Sequence, residues 1–325
     1  MKEKLNLSPE IIQDSVKVEE VLLKGTEIIE NGQIKEVAQT ILKSGGKRLR
    51  PILVLVSGLT GKYQLRKLIP AAVAIELLHI ASLVHDDILD GAKTRRGAPT
   101  ANSIIGREAA ISAGDFLFAK TFEILSDLKN NDVAKIMAEA SNALSLGELF
   151  QMEIAHWTGQ SEIGYLRIIR SKTAALFTAA CKIGAVLAEA GKDDIKMLSS
   201  YGDSVGLAFQ IYDDILDIVG DEKVMGKPAG NDLREGKVTL PVIYALEETN
   251  YSKSITSVIE KERTDDGSIK IALRTIIEET SAVDKAKEEA KKYIKAALRA
   301  AESLSSKEAK ENLVNIANFI TTRLY

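Results

Sequence analysis

The sequence predicts an all-α protein, and two features of its composition support this. Among 325 residues only six are proline and 5% are aromatic, whereas alanine, leucine, isoleucine, glutamate and lysine are abundant; this composition favours helices. Alternating runs of valine, threonine and tyrosine bounded by turns, which predict sheets, do not occur in the sequence. No linker or shift in composition divides the chain, so we expect one helical domain over residues 1–325.

The first helices are predicted from their end signals. Ser8 followed by Pro9 is typical of an N-cap and a first helical residue, and it predicts a helix to about Glu30, before the Asn31-Gly32 turn. Three more helices are expected in the first ninety residues, at about 33–43, 51–59 and 63–90. The last two are almost continuously apolar.

The rest of the chain predicts longer helices separated by polar turns. The segments 130–132 and 159–161 have turn composition, and Gly191-Lys192-Asp193 caps the helix that leads to the second acidic motif. The predicted helices are 104–127, 133–157, 162–190 and 205–219. After Val238 the pattern predicts shorter surface helices, with a solvated, charged face over 284–304.

A cluster of three aspartates ends the helix predicted over residues 63–90. Asp86, Asp87 and Asp90 lie within about 100° of helical arc and therefore share one face. Carboxylates this close repel one another unless cations compensate them. Mg²⁺ is typically bound by one or two carboxylates together with substrate phosphates, so the cluster indicates a metal–diphosphate site.

The same five letters, DDILD, occur again at 213–217. A single pentad is more often a solvated helix end, but an identical second copy makes chance repetition the weaker explanation. Cations follow both copies in polar loops: Arg95 and Arg96 after the first, Lys227 and Lys237 after the second. Guanidinium groups bind phosphate in bidentate geometry. We therefore expect the two motifs to form two walls of one cavity.

Other polar positions also suggest anion binding. Residues 44–51 read SGGKRLRP, in which the glycines permit close backbone approach and the helix start favours negative charge, although a basic turn facing solvent is the alternative. The segment 170–174 is a polar step in an apolar helix. His79 shares the face of the first aspartates and is either a phosphate ligand or a core histidine; His85 and His156 are expected to be structural.

Composition also limits the class of protein. The net charge of −3 argues against a nucleic-acid binder that neutralises phosphates. The single cysteine, Cys181, excludes an internal disulfide and fits a reducing compartment, and we expect it to be buried. The N-terminus lacks the apolar core of a signal peptide, and we find no uncharged apolar run of about 18–20 residues. We therefore expect a soluble, cytoplasmic protein without a membrane span.

Five ordered motifs resemble those of the trans-type polyprenyl diphosphate synthases. They are GGKRLRP, LLHIASLVHDDILDGAKTRRGAPT, SKTAALF, FQIYDDILD and GKPAGNDLREGKVTLP, and they extend over nearly the whole chain. The resemblance implies a bundle of long, mostly antiparallel helices around a deep central cavity. It also implies an allylic diphosphate and isopentenyl diphosphate as substrates, three Mg²⁺ ions per active site, and a homodimer or a heterodimer with a non-catalytic subunit.

The resemblance also implies a role for each motif residue. The first Mg²⁺ motif is Asp86, Asp87 and Asp90, with Asp86 and Asp90 as its main ligands, and the second is Asp213, Asp214 and Asp217. The residues implied for the allylic diphosphate are Arg95, Lys172, Lys227 and Lys237. Those implied for isopentenyl diphosphate are Lys47, Arg50, His79 and Arg96. Thr173 and Gln210 correspond to polar groups near the reacting carbon.

These residue types fit a reaction that begins with loss of diphosphate. Groups that bind the departing diphosphate more tightly than the ester lower the barrier to ionisation. The allylic cation then needs a dry site with a few oriented dipoles, and a positioned double bond of isopentenyl diphosphate attacks it. The resemblance implies that the released diphosphate takes up the proton.

Three other functions share some of these features. A class I terpene cyclase or squalene-type synthase usually replaces the second pentad and lacks the lysine–arginine segment. A phosphohydrolase could use His85-Asp86, but three histidines cannot supply its metal site. A non-catalytic partner subunit should have lost acids from a pentad. Two variants of the favoured function stay open: a farnesyl or geranylgeranyl diphosphate synthase, and the catalytic subunit of a heterodimeric heptaprenyl diphosphate synthase.

The residues before the first pentad bear on product length. Short-chain members of the resembling family have bulky aromatics four or five residues before the first aspartate, where this chain has Ser82 and Ala81. Unless they merely allow close helix packing, these small residues predict an open tunnel and a product of C30 to C40 made from farnesyl diphosphate. Phe150 and Met137 are candidates for the tunnel floor.

Overall fold

The protein is described by a computed structural model of residues 5–25, 32–43, 46–95, 97–220, 229–248, 252–261 and 265–322. These residues form helices and one small hairpin, which confirms the predicted all-α fold. In the hairpin, β1 (Thr94–Arg95) and β2 (Ala98–Pro99) pair antiparallel, with Thr94 opposite Pro99.

The helices are numbered in chain order. They are α1 (Pro9–Gly25), α2 (Gly32–Lys43), α3 (Leu49–Gly58), α4 (Leu65–Leu89), α5 (Ala101–Ile105), α6 (Arg107–Asp127), α7 (Asn131–Glu153), α8 (Glu162–Ile169), α9 (Ala175–Leu187), α10 (Lys192–Val219), α11 (Asn231–Arg234), α12 (Leu240–Glu247), α13 (Ser252–Ile259), α14 (Asp266–Arg274), α15 (Ala282–Glu302) and α16 (Lys307–Thr321). A first π turn (Arg170–Ala174) joins α8 to α9, and a second (Thr275–Glu279) follows α14.

Some predicted helix boundaries are confirmed and others are wrong. Helix α1 begins at Pro9, as predicted. The helix predicted over 104–127 is two helices, because Gly106 has a φ of 80° and interrupts the helical backbone. Helix α7 ends at Glu153, short of Trp157. The helix predicted over 162–190 is divided by the first π turn and ends at Leu187.

The prediction of shorter surface helices after Val238 is partly wrong. Helix α12 is buried from Leu240 to Ala245, and α15 is 21 residues long. The charged, solvated face predicted for this part of the chain is present on α15. There, ion pairs one turn apart lie in solvent, such as Lys291 with Glu288 at 2.6 Å.

The chain divides into two compact units. Unit 1 is Met1–Asn142, Leu176–Gly202 and Leu298–Ile316, and unit 2 is Ala143–Ala175, Asp203–Ala297 and Ala317–Tyr325. Each is described by itself below. That residues 1–325 form a single domain stays a prediction.

In unit 1, α4 packs against α1, α3 and α6. Every residue of α4 from Ala71 to Leu78 is buried. At Gly114 of α6 a Cβ atom would lie only 2.3 Å from His85 Nε2, so the glycine leaves room for the His85 ring between α4 and α6. His85 therefore has a packing role, as predicted.

Helix α4 is, within the described residues, the one helix long and apolar enough to cross a membrane by length and composition. Of its most apolar 18-residue window, 67% is buried inside the protein. This burial is what a core helix requires.

The single cysteine is also part of unit 1. Cys181 is fully buried, and this burial raises the pKa of its thiol to about 12. The thiol therefore stays protonated and behaves as a small apolar side chain, which agrees with the predicted buried position.

In unit 2, α12 packs against α8, α13 and the second π turn. Tyr244 of α12 donates a hydrogen bond to Glu162 Oε2 at 2.8 Å and links α12 to the start of α8. His156 Nδ1 lies 2.7 Å from the carbonyl oxygen of Ile259, so this histidine joins the segment after α7 to the end of α13, as expected for a structural residue.

Candidate active site

The first acidic motif ends α4, and its three aspartates have different surroundings. Asp86 is half-buried, Asp87 is 5% exposed, and Asp90 is exposed as the C-cap residue. A shared helix face therefore does not give the three carboxylates equal access to solvent. Asp86 and Asp90 are the more accessible pair.

Asp87 forms an ion pair with a second predicted residue. Arg95 Nε donates to Asp87 Oδ1 at 2.7 Å, and the Arg95 side chain is 35% exposed. Arg95 lies on β1, and Thr100 helps to close the loop before it by donating to the carbonyl oxygen of Ala92 at 2.8 Å. The ion pair thus holds a guanidinium group at the first acidic motif. The other predicted arginine, Arg96, lies outside the described residues.

The three cationic side chains of the basic segment at the start of α3 differ in their exposure to solvent. Lys47 and Arg50 are half-buried, whereas Arg48 between them is 7% exposed. Arg50 Cζ lies 4.6 Å from the centre of the Phe177 ring, a cation–π contact that orients the guanidinium group. Of these three cations, Lys47 and Arg50 are the ones that an anion can approach.

The remaining predicted residues of unit 1 lie on α4. His79 is half-buried, and its carbonyl oxygen accepts a hydrogen bond from Ser82 Oγ at 2.8 Å. Ala81 is 1% exposed. The proposed effect of Ala81 and Ser82 on product length stays a prediction.

In unit 2, four polar side chains form one hydrogen-bonded chain. Thr173 Oγ1 donates to Gln210 Oε1 at 2.7 Å, and Gln210 Nε2 donates to Asp214 Oδ1 at 2.8 Å. Tyr165 donates its hydroxyl to Asp214 Oδ2 at 2.6 Å. Three residues predicted from two separate motifs are therefore brought together, and both Asp214 oxygens accept protein hydrogen bonds.

Burial raises the pKa of two side chains in this hydrogen-bonded group, Asp214 and Tyr165. It raises the pKa of Asp214, as do the neighbouring charges of Asp213 and Asp217, although the hydrogen bonds from Tyr165 and Gln210 lower it. Burial, followed by the charge of Asp214, raises the pKa of Tyr165 well above its ordinary value. The tyrosine is therefore a fixed donor to Asp214 throughout the neutral range.

The other two aspartates of the second motif also differ. Asp213 is half-buried, while Asp217 is 2% exposed. Asp217 Oδ2 accepts a hydrogen bond from the backbone N–H of Asp232 at 3.0 Å, and its carbonyl oxygen accepts one from Gly230 at 2.7 Å. Asp217 thereby holds Gly230 and Asp232 at the end of α10, and Asp213 is the most accessible carboxylate of this motif.

Lys172 and Thr173 lie in the first π turn. A π turn adds a residue to one helical turn and often occurs at functional sites. Lys172 Nζ contacts Gln151 Oε1 at 2.5 Å and is ion-paired with Glu148, both on α7. Gly147 permits this approach, because a Cβ atom there would lie 2.9 Å from Lys172 Cγ. The adjacent Thr173 instead contacts Gln210 on α10, so neighbouring residues reach different helices.

Of the two predicted lysines after the second motif, the structure describes Lys237. Lys237 Nζ pairs with Glu235 Oε2 at 2.5 Å, and the Lys237 side chain is 18% exposed. Lys227 lies outside the described residues. Because the Lys237 ammonium group already has a carboxylate partner, an incoming diphosphate would have to compete for it.

The carboxylates alone do not complete a metal site. Within the ranges that the structure describes, no three histidine, cysteine, aspartate or glutamate side chains converge as a metal-binding group. Mg²⁺ usually takes only one or two carboxylates and completes its shell with water and substrate phosphates. The accessible pair Asp86 and Asp90, and Asp213, fit that mode of binding because hard oxygen donors suit this ion.

Sequence reasoning missed three residues that hold the predicted ones. Tyr165 fixes Asp214, and Glu148 and Gln151 contact Lys172. The pairs are separated by 49 residues for Tyr165 and Asp214 and by 21 for Gln151 and Lys172. Local periodicity carries no signal for such contacts. The one available hint is that Tyr165 lies on the same predicted helix as Lys172.

Comparison with known proteins gives consistent results. Residues 31–276 match the family model described as polyprenyl synthetase. The chain is 38% identical over 312 residues to "heptaprenyl diphosphate synthase component 2" of Geobacillus stearothermophilus, covering 96% of each protein. It is also 38% identical over 257 residues to the "short chain isoprenyl diphosphate synthase" of Methanocaldococcus jannaschii, covering 77% of this chain and 78% of that one.

The structure is similar to that of a polyprenyl synthase from Caulobacter crescentus CB15 in complex with calcium and isoprenyl diphosphate. The TM-score is 0.93 and the identity 32%, with 99% of this chain and 98% of that chain covered.

Proposed function

Because the chain belongs to the polyprenyl synthetase family and is a prenyltransferase, we propose that it extends farnesyl diphosphate with successive isopentenyl diphosphates to an all-trans polyprenyl diphosphate of C30 to C40. The observation that carries this proposal is the complete second motif with its hydrogen-bonded Thr173, Gln210 and Asp214. We place the reaction in the cytoplasm.

The proposed cofactor is Mg²⁺, three ions in each active site. Its proposed ligands are Asp86 and Asp90 in the first motif and Asp213 in the second, with Asp87, Asp214 and Asp217 in support. When bound, the ions supply the positive charge that neutralises a departing diphosphate. The calcium and isoprenyl diphosphate bound by the Caulobacter protein support a divalent-cation site for this chain.

The chain's own residues would bind and orient the two substrates. Arg95, Lys172, Lys227 and Lys237 are proposed to bind the allylic diphosphate, and Lys47, Arg50, His79 and Arg96 to bind isopentenyl diphosphate. Groups that bind the departing diphosphate more tightly as it leaves lower the barrier to ionisation. The hydroxyl group of Thr173 and the side-chain amide of Gln210 are oriented dipoles. Their oxygens can stabilise a nearby allylic cation, and neither is a strong nucleophile.

Product length and assembly belong to the same proposal. A small residue at Ala81 supports a long product, and the similarity to a heptaprenyl diphosphate synthase component supports one too. The similarity to a short chain synthase keeps a C15 or C20 product as the second candidate. Because the heptaprenyl relative is called component 2, a heterodimer with a non-catalytic subunit is an alternative to the homodimer.

The experiment that tests the function is incubation of the purified protein with farnesyl diphosphate, isopentenyl diphosphate and Mg²⁺. We expect longer linear polyprenyl diphosphates, identified by mass spectrometry after removal of the diphosphate. Cyclic hydrocarbons as the products, or farnesol that is already present before the diphosphate is removed, would overturn the proposal. If the chain is inactive alone but elongates in an extract of its source, the heterodimer is supported.

The two diphosphate sites should separate in mutants. Lys47→Ala and Arg50→Ala should weaken isopentenyl diphosphate binding, whereas Lys172→Ala should affect the allylic substrate. Each lost charge-assisted hydrogen bond should cost about 1.5–3 kcal/mol in the relevant binding step. The two Michaelis constants, measured for each variant and for the surface control Lys62→Ala, provide the test. Equal effects of all three changes on both constants would rule out this division.

The Tyr165 hydroxyl should matter for turnover as well as for folding. Tyr165→Phe removes one donor to Asp214, and we expect the free energy of unfolding to fall by about 1–3 kcal/mol. Because Asp214 also holds Gln210, kcat should fall more than either Michaelis constant rises.

Tyr244→Phe is a matched control for this change, since it deletes a hydroxyl that donates to Glu162 outside the proposed site. It should lower stability without lowering kcat. Equal losses of kcat in the two variants would show that Tyr165 has only a structural role.

A further inference from the structure

Arg48 lies between two residues proposed to bind isopentenyl diphosphate, but its own side chain points into unit 1. Its guanidinium group uses three nitrogens: Nε donates to Glu19 Oε1 at 2.8 Å, Nη1 to Glu76 Oε1 at 2.7 Å, and Nη2 to the carbonyl oxygen of Leu42 at 2.7 Å. The Arg48 and Glu76 side chains are 6% and 4% exposed. An anion arriving from solvent therefore meets a buried guanidinium group in which each of the three nitrogens already has a protein partner.

These partners belong to three different helices. Glu19 is on α1, Leu42 is in the last turn of α2, and Glu76 is in the buried part of α4. The Leu42 carbonyl is one of the groups that a helix C-terminus leaves without an intrahelical partner. One side chain thus fixes the start of α3 to three neighbouring helices.

The backbone at Arg48 is strained. It has φ 47° and ψ 35°, a left-handed conformation in the residue that precedes α3. For a residue other than glycine this conformation is unfavourable. A buried ion pair is also weak evidence for stability, because desolvation offsets much of the attraction. Stability alone is therefore a poor explanation for this arrangement.

Glu76 connects Arg48 to the proposed site. It lies three residues before His79 on α4, and residues spaced by three share a helix face. The ion pair therefore sets the position of the segment that carries Lys47 and Arg50 relative to the helix that carries His79.

We propose that Arg48 is a positioning residue, which through Glu76 holds Lys47, Arg50 and His79 in register for one diphosphate. The inference rests on the proposed function, and it adds a residue that contacts no substrate itself. Charge-assisted hydrogen bonds to a diphosphate depend on the position of each cation, so loss of the anchor should weaken the binding of one substrate selectively.

The test is calorimetric binding of isopentenyl diphosphate to the full-length double variant Arg48→Met/Glu76→Met. Removing both charges together avoids leaving a buried carboxylate without its partner, and such replacements are often neutral for stability. We expect a melting temperature close to that of the wild type, a dissociation constant for isopentenyl diphosphate raised on the order of 10- to 100-fold, and unchanged affinity for farnesyl diphosphate.

Two further variants keep the inference testable. Glu19→Gln weakens one of the three contacts at a carboxylate that is 30% exposed, so it should fold even if the double variant does not, and it should show a smaller change of the same kind. The control Arg274→Met/Glu278→Met makes the same chemical change in a surface ion pair and should change neither affinity.

Unchanged binding of isopentenyl diphosphate in the folded variants, or equal weakening of both substrates, would overturn the inference. Wild-type protein that elongates farnesyl diphosphate would leave the proposed function standing in either case. Wild-type protein that neither elongates farnesyl diphosphate nor binds isopentenyl diphosphate would instead overturn the proposed function, and the inference with it.

Discussion

Replacing Asp86 or Asp213 with alanine is expected to lower turnover by about 10²–10³-fold, the usual effect of removing one oriented charge-stabilising group. Both carboxylates are half-buried, and each is the first residue of its motif. Each is proposed to hold Mg²⁺, so loss of either should remove the positive charge that neutralises the departing diphosphate. Turnover at saturating substrate, with Mg²⁺ varied, provides the measurement.

Asp127→Ala is a suitable control for these two variants. Asp127 is exposed at the end of α6 and has no proposed role, so this change should leave turnover intact. All three variants should keep the wild-type helical circular dichroism. Near-normal turnover in Asp86→Ala or Asp213→Ala would contradict the proposed metal site.

Ala81→Phe is expected to shift the product from C30–C40 to C15–C20 while leaving the first condensation nearly intact. The growing chain is proposed to extend past the residues that precede Asp86, so a phenylalanine there would block its growth. Chromatography of the dephosphorylated products measures the shift. Wild-type protein that stops at C15 or C20, or an Ala81→Phe variant with unchanged products, would contradict the tunnel.

Stability must be checked in this experiment because Ala81 is 1% exposed. Adding a large side chain at a packed position typically costs about 1–3 kcal/mol. Ser82→Phe, at the half-buried neighbouring position, tests the same idea at lower risk. Ala296→Phe, on the exposed side of α15, is the matched control and should leave the products unchanged.

Those parts of the fold that depend on local signals could be predicted from the sequence. The start of α1 at Pro9 follows from N-cap chemistry, and the all-α class follows from composition and periodicity. The break at Gly106 was missed because glycine is tolerated within helices as well as between them. The first π turn was seen only as a polar step, since its geometry depends on contacts with α7 and α10.

The candidate site shows the same division. The motif spacing predicted the aspartates as site residues, but it carried no information on how the surroundings of the individual carboxylates differ. In the structure Asp87 accepts a hydrogen bond from Arg95, and Asp214 accepts hydrogen bonds from Gln210 and Tyr165. Arg48 belonged to a basic run, yet its two carboxylate partners are 28 and 29 residues away. Such pairings depend on which helices pack together, and a single sequence does not reveal them.

The most direct test of the central claim is a crystal structure with Mg²⁺ and farnesyl thiodiphosphate, in which sulfur replaces the bridging oxygen and slows ionisation. We predict Mg²⁺ bound to Asp86 and Asp90, further Mg²⁺ bound to Asp213, and diphosphate oxygens completing the coordination of these ions. A structure in which the thiodiphosphate binds without metal, or in which metal occupies neither motif, would contradict the account.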